Sequence, residues 1–154
     1  MVHPIQREPY SWRTDESVPD FDDKGPLVVM DGDCALCSFG ARTIARLDRR
    51  KEFRICCAQS ALGRASLCHF GLHSHDLDTW LLLSAGRAHG SFDAVILVGR
   101  RLGGVGWLLQ PLRLLPCAWR DRLYRCLARN RYRIFGRTDL CDIPDPALRE
   151  RVIE

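Results

Sequence analysis

The apolar positions of this chain fall into short blocks separated by polar turns. Leu27-Val28-Val29-Met30 is a continuous apolar run, as expected for a strand buried on both faces. Asp31-Gly32-Asp33 stops it with a turn signal. Phe39, Ile44 and Leu47 then return near helical spacing, with Arg42, Arg46, Arg49 and Arg50 elsewhere on the wheel. The alternation repeats, predicting a strand over 53–57 and a helix over 60–70 closed by Gly71. A third strand is predicted over 80–83, and Ala85-Gly86 turns it into a fourth over 87–90. Ser91 is the expected cap of a helix running toward Leu102, with Asp93 in its first turn. The chain to about residue 130 reads as helix interrupted at Gly103-Gly104, Pro111 and Pro116. The order β-α-β-α-β-β-α, then more helix, predicts a small α/β layer fold.

Length and composition narrow this picture. A chain of 154 residues predicts one domain, here 26–154 with a helical C-terminal extension and tail. Residues 1–25 carry six acids, three basic residues and three prolines without an apolar period, and read as a flexible arm. Hydrophobic residues at 46% and charged residues at 27% exclude a wholly disordered chain. No run approaches the length of a membrane-spanning helix, and the start lacks the cationic-then-apolar pattern of a secretory signal. The expected compartment is therefore a reducing cytoplasm, where cysteines serve as catalysts, metal ligands or core residues more often than as bridges. With eight cysteines in the chain, that choice is the central one.

Cys34-Ala35-Leu36-Cys37 follows the first strand and opens the first helix. Residues i and i+3 of a helical turn hold their Cα atoms about 5–6 Å apart, within the span of a disulfide. The first cysteine meets unpaired backbone N–H groups and the positive end of the helix dipole, which favour the attacking thiolate. The second, one turn deeper, is placed to resolve a mixed disulfide. Two other readings stay open. Cys34 and Cys37 could be half of a zinc site completed from Cys56-Cys57, Cys68, His69, His73 and His75, although adjacent strand cysteines face opposite ways. They could also be unreactive core thiols.

Asp31-Gly32-Asp33-Cys34-Ala35-Leu36-Cys37 after an apolar strand resembles the signature of the DCC family of predicted thiol-disulfide oxidoreductases. Ser91-x-Asp93-Ala94, Leu102-Gly103-Gly104, and the run from Asn130 to Arg137 followed by Cys141 are similar to its later segments. The resemblance implies a thioredoxin-like fold and dithiol-disulfide exchange with an unidentified protein or small-molecule thiol or disulfide. It implies no metal or organic cofactor. Thioredoxins place a cis-proline before the third strand; here Asp78-Thr79 stands there, leaving Thr79 as the candidate for docking a substrate chain.

Asp31-x-Asp33 is also the pattern of a haloacid-dehalogenase-type phosphatase, with a nucleophilic and a general-acid carboxylate. That chemistry needs a downstream lysine and a further acidic pair for magnesium. Lys51 and Asp76-x-Asp78 are poor fits to those places. In the redox reading, Asp31 is either the proton acceptor for Cys37 or a helix cap, and Asp33 is a helix cap. Cys56, Cys57, Cys68, Cys117 and Cys126 are expected in the core, Cys126 on one face with Trp119, Leu123 and Leu127. Cys141 is a candidate third redox cysteine or a tail anchor. Residues 100–137 hold ten arginines against one acid, Asp121. Such a strip could meet nucleic acid or an anionic membrane. The expectation is instead a buried Trp/Leu face, solvated arginines and no specific nucleic-acid partner, with the Trp/Leu/Arg-rich helix pair also a candidate surface for a protein partner and a protein-interaction module an alternative function.

Overall fold

The computed structural model describes residues 5, 7–72, 80–140 and 145–153. In chain order the elements are β1 (Leu27–Met30), α1 (Ala35–Leu47), β2 (Arg54–Cys57), α2 (Ala61–His69), β3 (Leu81–Ser84) and β4 (Arg87–Gly90). They continue as α3 (Ser91–Leu102), α4 (Cys117–Phe135), α5 (Pro146–Arg149) and β5 (Val152–Ile153), with a 3-10 segment over Gly104–Leu114 between α3 and α4. The five strands form one mixed sheet in the order β4-β3-β1-β2-β5. β1 runs parallel to β2 and antiparallel to β3, and β2 runs parallel to β5. This is a thioredoxin-like α/β sheet flanked by helices, with a helical C-terminal extension.

Strand alternation sorts the core into two layers. Val28, Met30, Ile55, Cys57 and Leu82 meet Ala41 and Ile44 of α1 and Ala94 and Val98 of α3. Leu27, Val29, Cys56, Leu81 and Leu83 meet Leu62 and Leu67 of α2 on the other face. The N-terminal arm joins that second layer, burying Trp12 and Val18, a packing face that its charged composition hid. His69, at the end of α2, fastens the arm: its Nδ1 lies 2.5 Å from Asp15 Oδ2 and its Nε2 lies 2.8 Å from Ser11 Oγ.

Two expectations about α3 and α4 need correction. Ser91 is the first residue of α3 rather than its cap; Gly90 takes the cap position and no side chain caps the end. α4 buries Tyr124, Ala128 and Arg131, while Trp119, Leu123 and Cys126 face outward. The helix is turned so that Arg131 reaches a buried carboxylate, and that contact overrides the apolar stripe. Cys68 and Cys117 are likewise exposed rather than in the core.

Candidate functional site

The site is assembled where β1 ends and α1 begins. Met30 is the last paired residue of β1, and Asp31 follows it into the core. Cys34 occupies the N-cap of α1 in extended backbone geometry, φ −98° and ψ 121°. Cys37 lies one turn inside the helix, and both are free thiols buried in the first core layer. The Cys34 sulfur takes a hydrogen bond from the Cys37 thiol, which lowers its pKa most. Burial opposes the shift, the Cys37 and Leu36 backbone N–H groups and the charge of Arg131 assist it, and the result is about 6. Cys37 is pushed far up, because it holds its proton against the Cys34 sulfur and because it is buried. Trp80 Nε1 donates to Cys37 Sγ at 3.3 Å and works the other way. One thiol is thus made acidic and its neighbour proton-retaining.

Asp31 sits beneath the pair in a four-donor cage. Tyr132 OH donates a short hydrogen bond to Oδ2. Arg131 Nη2 reaches the same oxygen at 2.9 Å, Gln59 Nε2 reaches Oδ1 at 2.6 Å and Asp33 N–H reaches Oδ1 at 3.0 Å. Burial alone would raise the Asp31 carboxyl. The hydrogen bonds from Tyr132, Asp33 and Gln59, with the Arg131 charge, outweigh it and leave the group below its ordinary pKa. Burial would lower the Arg131 pKa, but Tyr132 and Asp31 hold it above the ordinary arginine value.

The chain after α4 closes over this site. Gly136 ends α4 at φ 80° and ψ −173°, a conformation that essentially only glycine adopts. Its carbonyl accepts from Ala35 N–H at 3.4 Å. Arg137 then bridges Cys34 as an antiparallel β partner. Thr138 N–H donates to Asp33 O at 3.1 Å, and Leu140 N–H to Gly32 O at 2.8 Å. Under this strap Cys34 has 0% of its surface exposed. The guanidinium groups of Arg131 and Arg137 lie 4.8 Å and 4.7 Å from the Tyr132 ring centre, tying helix and strap together. Beside Cys37 an apolar groove of about 180 Å³ opens between Leu36, Phe39, Trp80, Phe92, Tyr124 and Leu127.

The sequence pattern of the family described as DCC1-like thiol-disulfide oxidoreductase matches residues 28–137, a span that runs from β1 into the start of the strap. The chain belongs to that family. It is 30% identical over 140 residues to a chloroplastic DCC family protein of Arabidopsis thaliana, covering 90% of this chain and 81% of that one. It is 28% identical over 140 residues to the uncharacterized protein YuxK of Bacillus subtilis (strain 168), covering 91% of this chain and 98% of that one. No solved structure matches.

Within this DCC1-like frame the structure brings Cys34, Cys37 and Asp31 into one site. Asp33 is exposed at the turn, and it gives Asp31 its backbone N–H rather than capping α1, which has no side-chain cap. Thr79 and Cys141 lie outside the described residues, as do His73, His75, Asp76 and Asp78. Gln59, Trp80, Arg131 and Tyr132 escaped the sequence reading as site residues. Arg131 and Tyr132 fall inside the C-terminal segment that carries the family resemblance, which was their signal. Gln59 and Trp80 gave none, since a glutamine after a strand and a tryptophan before one are ordinary residues.

Proposed function

We propose that this protein exchanges a dithiol for a disulfide, with Cys34 as the nucleophile and Cys37 as the resolving thiol. The observation that carries the reading is the geometry of the pair: Cys34 at the N-cap of α1 with Cys37 one turn inside, the Cys37 thiol donating to the Cys34 sulfur and so lowering its pKa. At neutral pH Cys34 is mostly thiolate and attacks one sulfur of a partner disulfide. A mixed disulfide forms, and the partner's other sulfur leaves as a thiolate and takes a proton from water. The Cys34 negative charge is then gone, and with it the main push that kept Cys37 protonated. Cys37 loses its proton and attacks Cys34 Sγ. The internal disulfide forms, and the second partner thiolate departs. The partner is reduced by two electrons and the protein is oxidised by two.

Asp31 takes a positioning role in this scheme. Its carboxylate holds Arg131, whose charge favours both thiolates. The Cys37 proton is assigned to solvent, because Asp31 already accepts from four groups. The setting proposed is a reducing cytoplasm; the Arabidopsis relative is described as chloroplastic.

The test is trapping. Cys37→Ser, incubated with the aromatic disulfide of Ellman's reagent or with glutathione disulfide, should accumulate an adduct at Cys34 visible by mass spectrometry. Cys34→Ser should form none at residue 37, and the parent should pass to an internal disulfide. Equal, slow labelling of both positions would reduce the pair to core thiols.

A further inference from the structure

We propose that α4 and the 3-10 segment before it dock this protein, in the plane of the surface, on a bilayer containing anionic lipids. The starting point is what α4 leaves uncovered. Trp119, Leu123 and Ile134 are 68%, 50% and 62% exposed. At 3.6 residues per turn they share an arc of about 60°, interrupted by half-buried Asn130, with exposed Cys126 about 20° outside its edge on the arginine side, so they form a stripe rather than scattered residues. Arg122, Arg125, Arg129 and Arg133, all exposed, fill the adjoining arc of about 80°. The preceding 3-10 segment adds Trp107, Leu108 and Leu114 at 61%, 76% and 88% exposure. A helix of 19 residues with an apolar Trp/Leu stripe flanked by arginines is the pattern of an interfacial helix. Among the described residues no helix is long and apolar enough to cross a membrane, so the contact is parallel to the surface.

Charge selects the occupant. Between residues 100 and 137, the ten arginines face one acid. The ion pairs there engage Arg101, Arg120 and Arg131. Among the described residues, Arg122, Arg125, Arg129 and Arg133 have no carboxylate partner in an ion pair. A second copy of the chain pressed on this face would set arginine against arginine. A nucleic acid would satisfy the arginines but leave the tryptophans and leucines in water. A lipid surface with negative headgroups takes both, with arginine at the phosphate level and indole at the interface. The opposite face of α4 contributes Tyr124, Leu127 and Ala128 to the groove beside Cys37. Docking would therefore leave the thiol site one helix away from the lipid headgroups. The inference does not depend on the thiol chemistry.

The experiment uses the full chain and co-sedimentation with two vesicle preparations, phosphatidylcholine alone and an equal mixture with phosphatidylglycerol. Binding to the mixture should exceed binding to the neutral vesicles by about tenfold, fall with added salt, and shift tryptophan emission to the blue. The double change Trp119→Glu and Leu123→Glu, both on the exposed face, should cost about tenfold in binding with unchanged circular dichroism. Arg122→Gln with Arg125→Gln and Arg129→Gln should abolish the preference for the anionic mixture. Absence of binding to the mixture would overturn the proposal. So would undiminished binding of the Trp119/Leu123 variant, tighter binding to duplex DNA than to the vesicles, or a dimer in solution that the variant dissolves.

Discussion

Arg137 pairs with Cys34 across an antiparallel β-bridge, so the Cys34 sulfur lies beneath a later segment of its own chain. The pairing is held on one side by Thr138 N–H on Asp33 O at 3.1 Å. Thr138→Pro deletes that donor while keeping an extended backbone. Losing one such bond costs about 1 kcal/mol, which raises the open population about fivefold. The alkylation rate of Cys34 by iodoacetamide, followed by mass spectrometry, should rise by that factor. An unchanged rate would mean that the strap does not control access.

The acidity of Cys34 predicts a pH profile. With its pKa lowered to about 6, labelling of Cys34 should rise around that pH rather than near the free-thiol value of about 8.5. The sign for stability follows. A group whose folded pKa is depressed adds stability that is complete above its unfolded pKa and is lost as pH falls through the folded one. The urea midpoint should therefore decline between about pH 9 and 6 in the parent, and less steeply in Cys34→Ser. Matching slopes in the two proteins would contradict the shift.

Arg131 and Asp31 form a pair buried to 7% and 1% side-chain exposure. Arg131→Met leaves a carboxylate in the core with its countercharge gone, at a cost of about 3–5 kcal/mol. It should also raise the Cys34 pKa, since the Arg131 charge lowers it. Adding Asp31→Asn should restore most of the stability while leaving the Cys34 pKa high. Denaturant titration and pH-dependent labelling of both variants separate the two effects; a double mutant no more stable than Arg131→Met would refute the charge argument.

Gly40 marks the place where α1 makes room for Trp80. A Cβ at residue 40 would lie 2.6 Å from Trp80 Cη2, so Gly40→Ala must move the indole. The helix gains up to about 1 kcal/mol from the alanine and loses about 1–3 kcal/mol to overpacking. Stability is therefore a weak readout. Resolution is the sharper one, because the displaced indole no longer donates to Cys37 Sγ. The mixed disulfide at Cys34 should live several-fold longer than in the parent. An unaltered lifetime would remove Trp80 from the resolving step.

The sequence exposed the site's local half and concealed its distant half. β1, the turn at residues 31–33 and Cys34 at the head of α1 were legible because strand, turn and cap signals act within a few residues. The order of elements along the chain from β1 to α3 followed from the same short-range patterns, whereas the order of strands in the sheet and β5 did not. Asp31's role was not legible, since Arg131 and Tyr132 arrive from 100 and 101 residues away. The orientation of α4 was misread for a related reason. Counting Trp119 and Leu123 as core gives the wrong face, because the ion pair of Arg131 with Asp31 decides the helix's rotation. Ser91 looked like a cap by residue type, but the β4 edge brings the chain into α3 one residue earlier.

The cage around Asp31 also bears on how the chain is made. Among the described residues, the carboxylate at the end of the central strand takes its countercharge from a helix synthesised about a hundred residues later. At about 5–20 residues per second, a ribosome leaves that strand without its countercharge for several seconds. Burying Asp31 during this interval would leave a charge without its countercharge, so the core is expected to close only once α4 is available. The C-terminal helix is thus expected to fold with the core rather than as an appendage. A chain cut before Arg131 should emerge as a substrate for proteolysis, with Cys34 uncovered and its neighbours unassembled.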